Sequence, residues 1–229
     1  MELLNMIHKL YFLKIDENMD EDKFTHLLLL TSIEKQHKIN QFRFAVDKKL
    51  SLFSNILVQY IACQSLNTTI NELHFTNNEY GKPYLTGYPN FHYNISHIRN
   101  AIVVGVSNKP IGVDIEKIKQ SDLKIANRFF ADNEIKYILS DAKKYDKLFY
   151  EIWTKKEAYI KWIGKGLSVP LQSFDVLSDE INDKIGIFQI DDYSISVCCE
   201  EKFSLDCLIE LSEKDLYGRA LLLLENQLS

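Results

Sequence analysis

Asp114 and Glu116 stand two residues apart in "PIGVDIEKIK" (110–119), and Glu157 and Lys161 stand four apart in "WTKKEAYIKWIGKGLSVPLQSF" (153–174). Residues i and i+2 of a strand share a face, so the first pair projects two carboxylates side by side. Like charges that close repel, a divalent cation relieves the repulsion, and oxygen ligands with retained waters suit Mg²⁺. An isolated D-x-E is nonetheless more often a solvated strand face than a metal site. Glu157 and Lys161 are i,i+4 neighbours on a helix, a spacing shared with the commonest surface ion pair. Their surroundings set them apart. Trp153, Tyr159, Ile160, Ile163 and Leu167 are bulky and apolar, and Gly164-Lys165-Gly166 breaks the helix. A carboxylate and an ammonium wedged beside aromatics and such a turn could serve phosphate chemistry.

Ser96 and His97 close "FHYNISH" (91–97). Sequential Ser-His suggests a hydrolase nucleophile only weakly, since a triad needs spatial adjacency, and no G-x-S-x-G elbow occurs. The histidine is equally a phosphate donor or a turn residue. The other five histidines show no ligand spacing. Lys35, Lys38, Arg43, Lys48 and Lys49 form a basic set on an early helical stretch, for which a charged helix face is the usual explanation. Lys82 differs, because Gly81 permits close backbone approach and Pro83 fixes the turn. No G-x-x-x-x-G-K-[ST] or G-x-G-x-x-G phosphate loop is present.

The elements that must position these residues follow from periodicity. Ser32, with Glu34 and Gln36 close behind, marks a helix start. Leu50, Phe53, Ile56, Leu57, Tyr60 and Ile61 form an apolar helical stripe. Residues 79–90 are rich in turn formers. Phe91, Tyr93 and Ile95 alternate against His92, Asn94 and Ser96, predicting a half-buried strand that forms a hairpin with residues 101–107. Ile111, Val113 and Ile115 alternate with Asp114 and Glu116 on a third strand. Residues 121–165 predict helix. The tail predicts strands at 173–177, 185–190, 194–200, 204–211 and 218–225. The pattern is α+β, with a short seam at Pro110 dividing an α+β half, 1–109, from a second, 110–229.

Composition excludes several classes. At 229 residues with net charge −5, the chain lacks the basic surplus expected of a nucleic-acid binder. Residues 1–110 hold 11 basic and 10 acidic side chains, whereas 111–229 hold 16 and 22, which permits a basic site facing an acidic one. Cys63, Cys198, Cys199 and Cys207 show no metal spacing and are expected as reduced thiols in a cytoplasmic protein. The first residues carry charges throughout and do not form a signal peptide. No apolar run approaches the roughly 20 residues that span a bilayer, so no membrane partner is expected.

Five segments in fixed order, "EYGKPYL" (79–85), "FHYNISH" (91–97), "PIGVDIEKIK" (110–119), "RFFADNE" (128–134) and 153–174, resemble the 4′-phosphopantetheinyl transferase superfamily in its long, two-half (Sfp-type) branch. The resemblance implies a pseudo-dimer of two similar α+β halves with the site in the cleft between them. It implies transfer of the phosphopantetheine arm of coenzyme A to a serine of an apo carrier protein, releasing 3′,5′-ADP. Asp114, Glu116 and Glu157 match the residues that approach Mg²⁺ (or Mn²⁺), and Glu157 also matches a candidate base. Lys161, Ser96 and His97 match phosphate contacts, Lys82 a loop lysine near the adenine end, and Lys35, Lys38 and Ser51 residues that grip the 3′-phosphate and nucleotide. Glu134 matches a further acidic position. Two departures stand out: Ile98 and Arg99 replace the usual continuation of the histidine motif, and the tail carries little signature. The long form leans towards secondary-metabolite carriers or broad use, and one chain with two halves needs no partner copy, so a monomer is expected. The rival is a non-catalytic module that keeps the fold and binds coenzyme A or a carrier; the presence of Asp114, Glu116, Glu157 and Lys161 together argues against it.

Overall fold

The computed structural model describes residues 8–16, 18 and 20–228, excepting the side chains of Leu167 and residues 224–228. Leu167, counted above among the apolar neighbours, and the first seven residues therefore lie outside the description. Strand β1 (His8–Lys14) is followed by helices α1 (Glu21–Leu28), α2 (Ile33–Gln41) and α3 (Ala45–Leu66). β2 (Phe75–Asn77) and β3 (Pro83–Leu85) form a small hairpin, and β4 (His92–Ile98) and β5 (Ala101–Ser107) a longer one. β6 (Ile111–Lys117) leads to α4 (Leu123–Phe129), α5 (Asp132–Leu139) and α6 (Tyr145–Ile163). A single turn α7 (Asp179–Asn182) precedes β7 (Ile185–Ile190), β8 (Tyr193–Cys199), β9 (Leu208–Leu211) and α8 (Glu213–Leu228).

Local chemistry explains these boundaries. Ser32 Oγ accepts from the Lys35 amide at 3.2 Å and caps α2. The stripe on α3 buries Leu50, Phe53, Ile56, Leu57 and Ile61, and α6 ends at Gly164, whose φ of 72° is the left-handed conformation glycine adopts without penalty.

Two sheets stack face to face. The first runs β4-β5-β1-β9, antiparallel except for the parallel β1–β9 pair, and the second runs β6-β8-β7, antiparallel throughout. Alternation sorts each strand. Leu10, Phe12, Ala101 and Val103 meet Ile111, Val113, Ile115, Ile195 and Val197 in the core between the sheets. Leu13, Ile102, Val104 and Val106 face α1, α3 and α8 on the outside of the first sheet. Ile138, Phe149 and Ile152 of α5 and α6 help cover the second. The result is an α+β protein of two halves.

Strand β9 pairs beside β1, and Leu216, Ala220 and Leu223 of α8 enter the core on the outer face of the first sheet. Two expectations change. Residues 218–225 lie in helix α8, whose buried positions 216, 220 and 223 have helical spacing, and Ser212 and Asp215 bond each other at its start. Residues 173–177 form no strand, because side chains satisfy their backbone: Lys156 Nζ donates to Phe174 O at 2.8 Å, and Val176 N donates to Glu134 Oε1 at 2.8 Å.

Candidate active site

Gly112 brings the two acidic segments together. A Cβ there would collide with the Ala158 carbonyl and the Trp162 amide nitrogen, so only glycine lets the backbones of β6 and α6 touch. Asp114 and Glu116 follow on the same face of β6, and Glu157 and Lys161 bracket the contact on α6. Strand β4 approaches from the other half. Its Asn94 Oδ1 accepts from Val113 N at 2.8 Å, joining the two sheets, which share no ladder among the described residues.

Three sequence-distant motifs then meet. Lys161 Nζ lies 2.7 Å from Asp114 Oδ1 and donates to Ser96 Oγ at 2.9 Å, and Ser96 Oγ donates to the same Asp114 oxygen at 2.8 Å. Asp114 is 5% exposed. Burial raises its pKa, and Lys161 and then Ser96 oppose the rise. Burial also raises the pKa of Glu116, reinforced by Asp114 and Glu157, and that of Glu157, reinforced by Asp114. On β8, Ser196 and Ser194 pair with Asp114 and Glu116, and Thr154 Oγ1 of α6 lies 2.8 Å from Ser196 Oγ and 3.2 Å from Ser194 Oγ in a buried hydroxyl cluster.

Asp114 Oδ2 is buried with no hydrogen-bond partner among the described residues. An orphaned carboxylate oxygen and two further carboxylates whose charges oppose one another are a donor set that fits a hard divalent cation. Among the described residues no three His, Cys, Asp or Glu side chains already converge as a cage.

His97 leaves the same strand on the opposite face from Ser96. With Tyr93 and Ile95 it lines a cavity of about 1200 Å³ in the first half, whose walls also include Lys35, Lys38 and Ser51. Burial first and Lys38 second lower the pKa of Lys35. Lys38 is held 2.7 Å from Glu34 Oε1, one turn earlier on α2. Burial and then Lys161 lower the pKa of His97, with Asp47 opposing, so its imidazole favours the neutral form. The cavity thus has lysines on its α2 wall and His97 on its β4 wall, while the neighbouring Ser96 faces the carboxylate cluster from the other side of the strand.

Residues 110–208 match the family model "4'-phosphopantetheinyl transferase superfamily", and residues 18–109 match "4'-phosphopantetheinyl transferase, N-terminal". The chain is 37% identical to the 4'-phosphopantetheinyl transferase ffp of Bacillus subtilis, over 73% of this chain and 75% of the relative. It is 32% identical to the 4'-phosphopantetheinyl transferase Sfp of Bacillus subtilis (strain 168), over 83% and 91%. It is 38% identical to the 4'-phosphopantetheinyl transferase gsp of Aneurinibacillus migulanus, over 72% and 70%.

The chain belongs to the 4′-phosphopantetheinyl transferase superfamily.

Within this phosphopantetheinyl transferase, Lys35, Lys38, Ser51, Ser96 and His97 fall in the first matched segment, and Asp114, Glu116, Glu157 and Lys161 in the second. Ser96 does not line the cavity; its hydroxyl is engaged with Asp114 and Lys161. Lys82 does not line it either. Its ammonium is half-buried at the seam, where it donates to Ile111 O at 2.9 Å, Lys161 O at 2.6 Å and Trp162 O at 3.4 Å. A desolvated cation needs acceptors, and the end of α6 supplies two. Burial lowers its pKa to about 8. Glu134 lies away from the cluster in a fully buried pair with Lys156 at 2.8 Å. Lys49 is buried too, 2.6 Å from Glu213, tying α3 to α8. Ile98 packs against the inter-sheet core, and Arg99 is exposed in the turn of the β4–β5 hairpin. Sequence reasoning assigned no role to Asn94 or Thr154; the only signal was their place inside the quoted motifs.

Proposed function

We propose that this transferase moves the 4′-phosphopantetheine arm of coenzyme A onto a serine hydroxyl of an apo carrier protein and releases 3′,5′-ADP. The observation that carries this reading is the Asp114–Ser96–Lys161 cluster, assembled from both halves beside a cavity with lysines on its wall.

Lys35, Lys38 and Ser51 hold the phosphorylated nucleotide in the cavity. His97, on the cavity wall beside Ser96 in the chain, donates to a diphosphate oxygen. Asp114, Glu116 and Glu157 hold a divalent cation such as Mg²⁺, which when bound neutralises diphosphate charge. Lys161 places its ammonium on a non-bridging oxygen as charge develops. Glu157 takes the proton from the carrier serine, directly or through water. The serine oxygen bonds to the phosphorus bearing pantetheine, the bond from that phosphorus to the bridging oxygen breaks, and 3′,5′-ADP leaves with the electron pair. Positioning and charge stabilisation supply most of the acceleration in such transfers.

Carriers of peptide or polyketide assembly are the proposed partners, the enzyme acts as a cytoplasmic monomer, and no nucleic acid takes part. The test is intact mass of a peptide-synthetase carrier and a fatty-acid carrier after incubation with the protein, coenzyme A and Mg²⁺, with and without EDTA. The expected result is a gain of one phosphopantetheinyl group that EDTA abolishes, faster on the peptide-synthetase carrier. Coenzyme A binding with no gain on either carrier would select the non-catalytic module instead.

A further inference from the structure

The 78–82 turn joins β2 to β3 and reaches across the seam to the end of α6. It is a rigid unit: Asn78 Oδ1 accepts from the amides of Tyr80 at 3.0 Å and Lys82 at 2.8 Å, and Asn78 N donates to Lys82 O at 2.9 Å. From that base Asn78 Nδ2 donates to Gly164 O at 3.2 Å, and Lys82 Nζ donates to Ile111 O, Lys161 O and Trp162 O. Ile111 precedes Gly112, the point where β6 touches α6. The Lys82 ammonium therefore bridges strand and helix beside their closest approach, bonding to the carbonyl of Lys161 itself. A crevice of about 230 Å³ at this seam is lined by Asn78, Lys82, Trp162 and Gly164. Flanking the turn, Asn77 and Pro83 belong to the wall of the larger cavity. One short turn thus touches the large cavity on one side and the carbonyl end of α6 on the other.

We propose that Lys82 is a positioning residue for transfer, a latch that holds α6 against β6 and so sets the reach of Lys161 to Asp114. It adds to the proposed reaction and rests on that reading for its kinetic test. The ammonium fits this role because a helix C-terminus presents unpaired carbonyls that favour a cation. A lysine bound this way has its donors directed at protein carbonyls rather than at a nucleotide. An error of about 1 Å at a reacting group can cost about 10²-fold in rate, which makes the latch kinetically visible.

The experiment compares wild type, Lys82→Met, Lys82→Arg, Lys161→Ala and the Lys82→Met/Lys161→Ala double variant. It reads kcat with a saturating apo carrier and the Kd of 3′,5′-ADP. The latch predicts that Lys82→Met lowers kcat about tenfold or more and leaves the Kd within about threefold. It predicts that Lys82→Arg recovers part of the loss, and that the double variant is no slower than Lys161→Ala alone. A loss confined to the Kd would overturn it in favour of a direct nucleotide contact. Multiplying losses in the double variant, or an unchanged kcat in Lys82→Met, would overturn it outright. If Lys82→Met does not fold, Asn78→Ala, which removes the Gly164 contact and the two turn hydrogen bonds that hold Lys82 in place, must lower kcat with the same unchanged Kd. If wild type shows no transfer, the transferase reading fails first. The latch is then decided by crystallography: a Lys161–Asp114 separation in Lys82→Met still near the 2.7 Å of the wild type overturns it, and a wider one supports it.

Discussion

Lys161 Nζ stands 2.7 Å from Asp114 Oδ1, although the two residues lie on different elements. The contact exists because Gly112 lets α6 lie directly on β6 and because Ser96, from the other half, donates to the same carboxylate oxygen. One oxygen of Asp114 is thereby committed to Lys161 and Ser96, and the other is buried and unpaired among the described residues. A charge held so close to its limit of solvation is costly to the fold and useful to a reaction that handles a diphosphate.

Gly112→Ala tests how the site is assembled. The new methyl group meets helix backbone rather than a movable side chain, so α6 must shift. The expected outcome is a loss of about 1–3 kcal/mol in chemical denaturation together with a fall in kcat of about 10²-fold. Wild-type turnover in this variant would show that the close approach is not what places Glu157 and Lys161.

Glu134→Gln separates structure from chemistry. The Glu134–Lys156 pair is fully buried, and it also fixes Val176 N, Ala131 N and the carbonyls of Leu171 and Phe174. Breaking one partner of a buried pair costs about 3–5 kcal/mol, so the melting temperature drops by more than 6 °C, at roughly 2–4 °C per kcal/mol in a protein of this size. A selective loss of kcat at unchanged melting temperature would instead give Glu134 a chemical role.

Alkaline pH should weaken nucleotide binding through Lys35. Burial and Lys38 hold its pKa below the usual lysine value, and a phosphate is bound by the ammonium form. Binding is therefore full at neutral pH and falls as pH rises through that lowered pKa, sooner than an ordinary lysine would allow. Calorimetry with 3′,5′-ADP from pH 7 to pH 10 should show this decline, and Lys35→Met should bind weakly with a flatter profile. A wild-type affinity independent of pH over that range would remove Lys35 from the phosphate site.

Much of this site was legible because strands have period two. The alternation of Tyr93 and Ile95 against Asn94 and Ser96 placed one set on the cavity and the other on the seam, and the same rule put Asp114 and Glu116 on the helix side of β6. Sequence did not reveal the occupation of Lys82 by carbonyls of α6, because it depends on a contact between residues 79 positions apart. The apolar run at 220–224 read as strand because a short run fits either period. Helix α8 is distinguished by the spacing of Leu216, Ala220 and Leu223 against α3 and by the Ser212–Asp215 bonds at its start. The pairing of β9 beside β1 joins the two ends of the chain, and no local pattern announces it.

The most direct test of Asp114 and Lys161 as one reacting unit is a double-mutant cycle in kcat for carrier modification, using Asp114→Ala, Lys161→Ala and the combined variant. Each single variant is expected to lose about 10²-fold or more, and the combined variant to lose little beyond the worse single one, because residues that act together are not additive. Losses that multiply across the cycle would contradict a shared role for the pair, and a single variant with undiminished turnover would remove that residue from the site.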